Sequence, residues 1–338
     1  MVATLRCALS SVIALLVTVT AVGWWAPPAE AAPVVVSDST ADRSRTFRDR
    51  ERGNVFSVQF QTTKPNEDRR VHGVIVATLG QIDDDIMLAM VTLKCWGPGQ
   101  TEPTKDDYNQ YENVFSQQRN VLRGESSRMS LRWTYRAVTP GTHHCVVNFY
   151  TMRPRPVDGV DPADQKILVD NGSLVSVTSP LPTGTNQVRI PQGGTEFLTA
   201  DRPAKNFMNR VWQAPAGVDQ IAVNGDFMVT SCTYYLADGC EEKDQYRAGG
   251  TVKAVLYVKQ YNTAGTGYCN VTTDTPDGGA NQFISRDRHH QTLRTGVLVP
   301  VSTAPDCSRN FRIYVALTWV SGAAIKVHSY SAVSAAIW

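Results

Sequence analysis

Two short stretches carry residue types that could do chemistry. "TPGTHHC" (139–145) sets His143 and His144 against Cys145, and "RDRHH" (286–290) ends on His289 and His290. Imidazole and thiolate bind metals, but a structural or catalytic metal site needs three or four converging ligands. On a strand, His143 and Cys145 share one face while His144 points away. Val147 and Phe149 extend the Cys145 face, which marks it as the core side. A disulfide-bonded Cys145 is no thiolate and can neither ligate nor attack. The expectation is therefore a turn leading into a stapled strand, with His144 meeting solvent and no metal at either pair.

Carboxylates offer a second chemistry. "DGVDPAD" (158–164) gathers Asp158, Asp161 and Asp164 in one short loop, the best calcium candidate, since hard cations want oxygen ligands. Asp83, Asp84 and Asp85 could hold one half of an acid/base pair, but a glycosidase needs two carboxylates facing one cleft. GxSxG, HExxH and P-loop patterns are missing, so no catalytic residue and no cofactor is assigned. Exposed aromatics remain as candidate ligand contacts: Tyr108 and Tyr111 in a loop-like region, Tyr234 and Tyr235 after Cys232, and Trp96 after Cys95. Such rings bury much area at low entropic cost. Trp133, Trp212 and Trp319 read as core.

These residues sit in a chain with the marks of export. Residues 1–31 read as a signal peptide, with Arg6, an apolar "ALSSVIALLVTVTAV" and small residues at Ala29 and Ala31. The apolar run is short for a bilayer span, and no later run is long and apolar enough for one. The formal net charge is +2, which gives no electrostatic case for nucleic acid or an anionic membrane. The densest basic stretch, "DRSRTFRDRER" (42–52), mixes in acids and reads as a solvated arm. The six cysteines after the leader are Cys95, Cys145, Cys232, Cys240, Cys269 and Cys307, and an even number in an exported chain argues for disulfides.

An internal duplication limits how they pair. "GNVF" (53–56) matches "GTEF" (194–197), and "GQIDDDIMLAMVTLKC" (80–95) matches "GVDQIAVNGDFMVTSC" (217–232). "NVFSQQRNVLRG" (113–124) matches "NQFISRDRHHQTLRTG" (281–296), "TPGTHHC" matches "TAPDC" (303–307), and "ILVDNGSLVSV" (167–177) matches "IKVHSYSAVSA" (325–335). This sets Cys95 against Cys232 and Cys145 against Cys307. The economical pairing is Cys95–Cys145, Cys232–Cys307 and Cys240–Cys269, with the first two bridging facing sheets.

Strand-like alternation dominates. "VFSVQFQ" (55–61) puts Phe56, Val58 and Phe60 on one face; "TVKAVLYVKQY" (251–261) does so with Val252, Ala254, Leu256 and Val258; "FRIYVALTW" (311–319) with Phe311, Ile313, Val315, Leu317 and Trp319. The fold class expected is all-β: two tandem antiparallel sandwiches, immunoglobulin-like or jelly-roll-like, related by duplication. The architecture resembles immunoglobulin-type sandwiches in layering alone, without their third-strand Trp or tyrosine corner. The expected layout is a leader (1–31), a charged arm (32–52), a first sandwich (53–180), a linker (181–193) and a second sandwich (194–338). The expected function is a secreted, non-catalytic binding protein that recognises an extracellular glycan, another surface polymer or a protein. Self-assembly, a polysaccharide-active enzyme and a protease inhibitor are the alternatives.

Overall fold

The computed structural model describes residues 34–39, 45–79, 86–103, 114–152, 166–170, 172–181, 186–189, 195–233, 240–328 and 332–337. Its regular structure is almost entirely antiparallel strand, with one short 3-10 turn at Glu242–Tyr246. The first half contributes β1 (Val34–Ser39), β2 (Arg45–Arg48), β3 (Arg52–Thr62), β4 (Glu67–Leu79), β5 (Ile86–Trp96), β6 (Val114–Leu122), β7 (Ser126–Ala137), β8 (Gly141–Met152), β9 (Lys166–Val169) and β10 (Leu174–Pro180). The second contributes β11 (Asn186–Arg189), β12 (Glu196–Leu198), β13 (Ala204–Gln213), β14 (Gln220–Ser231), β15 (Gly249–Asn262), β16 (Tyr268–Asp274), β17 (Asn281–Ser285), β18 (His290–Pro300), β19 (Cys307–Gly322), β20 (Ile325–Val327) and β21 (Ala332–Ile337).

These strands form four sheets. Sheet I runs β1-β10-β4-β9-β2 with β7 also on β4, and sheet II runs β3-β8-β5-β6. Sheet III runs β11-β21-β14-β20-β12 with β18 also on β14, and sheet IV runs β13-β19-β15-β16 with β17 also on β15. The second pair repeats the first strand for strand, β17 being the one addition, so the chain is an internal duplication of a two-sheet unit. Each unit closes on its own apolar core. Phe56, Leu93, Leu131, Trp133 and Phe149 lie in one core, and Trp212, Phe227, Leu256, Phe311 and Ile325 in the other. Trp319 packs against the second core half-buried, and its Nε1 donates to the Ala323 carbonyl at 3.1 Å. The alternation read from β3, β15 and β19 holds: every residue assigned inward on these strands is buried except Trp319 at the end of β19, which is half-buried.

The topology corrects the sequence register. β5 corresponds to β15, and β14 corresponds to β4, whereas the match of 80–95 to 217–232 sets β5 against β14. The reason is physical. Both strands are buried on both faces, and β5 loses in its apolar run the alternation that would distinguish it from another strand. The match of 53–56 to 194–197 errs likewise, setting β3 against β12, and the match of 113–124 sets β6 against β17 and β18 rather than β16. The two C-terminal matches are in true register, on β8/β19 and on β9–β10/β20–β21.

The disulfides follow the topology. Cys95 and Cys145 are bonded as expected, but they are cross-strand neighbours on β5 and β8, so the bridge lies within sheet II and does not join two sheets. In the second unit the register partner of Cys307 is Asn262, which occupies the place of Cys95. Cys307 instead bonds Cys269 on β16, and Cys232 bonds Cys240 across a separation of 8 residues. Both expected second-unit pairs are therefore replaced. The stretch 32–52 also differs from a solvated arm, since β1 pairs with β10 and β2 with β9. Phe47 is fully buried against Phe149 with ring centroids 4.9 Å apart, and the Arg45 guanidinium covers its ring at 4.5 Å. One apolar residue among many charges anchors the segment.

The two units meet along a polar seam. Outward-facing residues of β14 and β18 lie against β4, β6 and β7. Arg132 chelates Asp226, with Nη2 at 2.7 Å and Nε at 3.2 Å from the two carboxylate oxygens, and donates to Asn224 at 3.0 Å. The His290 amide donates to Asn120 at 2.7 Å, and Arg294 reaches Gln117 and the Ser130 carbonyl. Asp226 and Met228 are buried although they point away from their own core, because the other unit covers them.

Four seam histidines are held neutral. His72 bonds Ser130 at 2.7 Å, and Thr230 bridges His290 and His328 at 2.7 and 2.6 Å, with His289 adjoining. Burial, then repulsion from Arg132, Arg294 and Arg128, lowers the His72 pKa to about 4 against the pull of Asp226. Burial lowers His289 to about 4 and His328 to about 3, and pushes His290 well below its ordinary value. A depressed histidine leaves the unfolded chain binding more protons, so its stabilisation is full above its ordinary 6.5 and is lost as pH falls toward the folded value.

Two outcomes follow from this architecture. Non-reducing peptide mapping will recover the Cys232–Cys240 and Cys269–Cys307 peptides; a Cys232–Cys307 peptide would contradict the strand equivalence. Thermal unfolding followed from pH 7 downward will show a midpoint that falls by several degrees between about pH 6.5 and pH 4. A midpoint that is flat across that window would remove the seam histidines from the account.

Candidate functional site

The two adjacent histidines of "TPGTHHC" separate as strand geometry requires. His143 is 1% exposed and points inward beside Cys145. It lies 2.9 Å from the Tyr135 hydroxyl through Nδ1 and 2.9 Å from the Thr139 carbonyl through Nε2. A neutral ring with its proton on Nε2 satisfies both bonds, and burial lowers its pKa. The same burial pushes Tyr135 up to about 12. Gly97 admits this ring, since a Cβ there would stand 2.6 Å from it. His144 turns outward and stacks on Trp96 with centroids 5.3 Å apart and planes 9° from parallel. The pair edges a shallow hollow of about 360 Å³ between the turns at Pro98 and Pro140.

No group of three or more histidine, cysteine or acidic side chains capable of holding a metal occurs among the described residues. Asp158, Asp161, Asp164, Asp83, Asp84, Asp85, Tyr108, Tyr111, Tyr234 and Tyr235 lie outside the described residues. Trp96 is thus the one aromatic candidate that the structure places, half-exposed at the end of β5.

A larger aromatic array lies on the outward face of sheet IV. Tyr257 on β15 and Tyr314 on β19 are register partners, and their rings stack 5.0 Å apart at 16°. One row along, Lys259 pairs with Arg312. The Lys259 ammonium stands 5.1, 5.0 and 5.3 Å from the ring centroids of Tyr257, Tyr268 and Tyr314. Tyr261 and Tyr268 meet across β15 and β16 with centroids 5.0 Å apart. Arg312 donates to the Tyr268 hydroxyl at 3.2 Å and to Asn209 at 2.9 Å. Val211 and Val271, 63% and 50% exposed, extend the face as open apolar surface.

Cross-strand pairing explains the array. Residues of like parity on neighbouring strands stand side by side on one face, and aromatic pairs there stabilise the sheet. The cations over the ring faces add attraction to the negative π surface. The bond from Arg312 stabilises the Tyr268 phenolate and lowers its pKa, while burial and the bond that Tyr261 donates to Tyr268 raise that of Tyr261. Such a surface presents the half-exposed rings of Tyr257, Tyr261 and Tyr268 beside phenol, guanidinium and ammonium donors, with Tyr314 stacked on Tyr257 and 8% exposed.

The corresponding face of sheet II has taken another course. Met90, Thr92, Lys94, Val146 and Asn148 point outward from that sheet yet are all buried. Lys94 pairs with Glu102 at 3.4 Å, and Asn148 donates to Asn54. Duplication therefore supplied two equivalent faces, and the centre of the sheet II face is covered where that of sheet IV carries half-exposed rings.

The array was legible as the other side of two strands. Once Val252 to Val258 and Phe311 to Leu317 are assigned inward, Tyr257, Lys259, Tyr261, Arg312 and Tyr314 must point outward together. Attention to aromatics beside cysteines passed over them.

No protein-family model matches the chain, and no curated protein matches it. Among solved structures, the CBM22-1–CBM22-2 tandem domain of Xyn10C from Paenibacillus barcinonensis aligns at 10% identity over 91% of this chain and 98% of that one, with a TM-score of 0.27. The infectious bursal disease virus Gt strain structure aligns at 9% identity over 92% and 72%, with a TM-score of 0.31. The STIV MCP aligns at 8% identity over 89% and 96%, with a TM-score of 0.25. At scores this low, none of these likenesses bears on what the chain binds.

The site's electrostatics are testable directly. In a pH titration of the tyrosine ring signals, Tyr268 will ionise before Tyr261, and Arg312→Gln will raise the Tyr268 midpoint. Coincident midpoints in the unmodified protein would contradict the Arg312–Tyr268 geometry.

Proposed function

We propose that this protein is a secreted, non-catalytic binding protein that holds an extracellular glycan on the outward face of sheet IV. The observation that carries this reading is the array of half-exposed Tyr257, Tyr268 and Tyr261 around Lys259 and Arg312, backed by Tyr314, which is 8% exposed beneath it. A sugar ring offers an apolar face of C–H groups and a rim of hydroxyls. Flat phenol rings accept the first, and their hydroxyls with the two cations accept the second. Little ordering is required on binding, since cross-strand pairing has already fixed the rings. The half-exposed Trp96–His144 stack on the first unit offers a second, smaller contact. Two contacts on one chain strengthen binding to a repeating polymer beyond either alone, provided both reach it.

Extracellular location rests on the leader-like residues 1–31 and on three disulfides, which persist in oxidising compartments. Among the described residues no helix is long and apolar enough to cross a membrane.

A glycan array followed by calorimetry tests the proposal. The chain will bind at least one polysaccharide. Tyr257→Ala combined with Tyr314→Ala will weaken that binding at least about tenfold, a loss of about 1.4 kcal/mol. The variant will keep the unmodified far-ultraviolet spectrum, because both rings lie outside the core. An empty array together with an empty cell-wall pull-down would sink the proposal, as would undiminished binding by the double variant.

A further inference from the structure

The seam between the units contains more positive charge than its own acids neutralise. Five guanidinium groups gather there: Arg119 on β6, Arg128 and Arg132 on β7, Arg294 on β18, and Arg288 just before β18. Two acids answer them directly. Asp226 is taken by Arg132 in a two-bond chelate and stands 3.6 Å from Arg294, and Glu125 is taken by Arg288. The remaining acceptors are neutral. Arg294 bonds Gln117 and the Ser130 carbonyl, and Arg119 bonds the Arg128 carbonyl at 3.3 Å. Among the described residues, the Arg128 guanidinium has no hydrogen-bond or ion-pair partner.

Three of these side chains converge on a cleft. Arg119, Arg128 and Arg294 line a cavity of about 230 Å³, together with Gln117, Gln291 and, at its exposed rim, Asp277. Burial lowers the pKa of Arg119 and Arg294, and neighbouring arginines add to it against the pull of one acid each: Arg288 against Glu125 on Arg119, and Arg132, Arg119 and Arg128 against Asp226 on Arg294. Like charges held together in a half-buried cleft cost stability, and an anion placed among them removes that cost. The guanidinium fork suits the planar, two-oxygen face of a carboxylate and the oxygens of a sulfate. The volume is below the roughly 300–1,000 Å³ of a pocket for a whole small molecule, and it suits one charged substituent with its sugar ring.

We infer that this cleft is a second binding site, which takes the carboxylate or sulfate group of an acidic polysaccharide. The sugar carrier rests on the glycan reading of the sheet IV face, whereas the charge of the ligand rests on the seam alone. The chain path connects the two sites. β16 carries Tyr268 at its start, and the segment that follows its end supplies Pro276 and Asp277 to the cleft. At roughly 3.3 Å per residue, the 8 residue steps from Tyr268 to Pro276 span about 25 Å. A polymer could thus engage both sites, a single sugar only one. Arg128 is the least committed member, so it is the residue to change.

Calorimetry will compare an oligogalacturonate, a sulfated heparin oligosaccharide and a neutral cello-oligosaccharide of equal length, using the unmodified protein, Arg128→Gln and Tyr257→Ala. NMR of the arginine side-chain N–H groups will follow glucuronate added alone. At least one acidic oligosaccharide will bind ten times more tightly than the neutral one. That advantage will vanish in Arg128→Gln and in high salt, while Tyr257→Ala will weaken acidic and neutral probes alike. Whichever acidic oligosaccharide gains more identifies the preferred group. Glucuronate will shift the Arg119 and Arg128 signals, and this response stands even if no neutral oligosaccharide binds, in which case the sheet IV reading alone fails. Equal affinity for acidic and neutral probes, an acidic preference that survives in Arg128→Gln, or arginine signals unmoved by glucuronate would each overturn the inference.

Discussion

A β-strand has two faces, and every feature of this molecule follows from how its outward faces are used. The inward faces are filled by Phe56, Leu93 and Phe149 in one unit and by Phe227, Leu256 and Phe311 in the other. Each core needs only one face of each sheet. Duplication therefore leaves four outward faces to be exposed, covered or paired. Sheets I and III turn theirs toward each other at the seam, where Arg132 meets Asp226. The outward face of sheet II is buried at its centre, around Met90, Thr92, Lys94, Val146 and Asn148, and exposed along β3. That of sheet IV carries the tyrosines, of which Tyr257, Tyr261 and Tyr268 are half-exposed.

The seam is polar rather than apolar, which shapes its behaviour. A buried chelate such as Arg132–Asp226 draws much of its value from geometry, because both charges lose hydration when the units meet. The neighbouring histidines contribute only while neutral. Cohesion of the two units is therefore tied to proton activity, whereas the two cores are not. The surplus of guanidinium over carboxylate at the same seam gives it a chemical preference that neither unit has alone.

Much of the fold was legible in the sequence, and its failures have a common cause. Alternation on β3, β15 and β19 marked the core residues correctly, as did the pairing of Cys95 with Cys145. Legibility ended where a strand is buried on both faces. β5 reads as a nearly continuous apolar run and β14 is buried on both faces despite Asn224 and Asp226, so an ungapped match ending on a cysteine placed them in false equivalence and carried Cys232 into the wrong bridge. Asp226 on β14 and Arg294 on β18 read as ordinary outward polar residues, because the surface that covers them comes from distant strands. The tyrosine array could have been found from the same alternation that identified the core, by asking what the opposite parity carries. Sequence could not show that the centre of the equivalent sheet II face is covered, with Met90, Lys94 and Val146 buried.

The most direct test is a crystal structure of the protein with a bound oligosaccharide drawn from those it binds in solution. The account predicts a sugar ring seated on the outward face of sheet IV against Tyr257, Tyr261 or Tyr268, with its hydroxyls within hydrogen-bond reach of Lys259 and Arg312. A sugar seated elsewhere, with the sheet IV face bare, would contradict it.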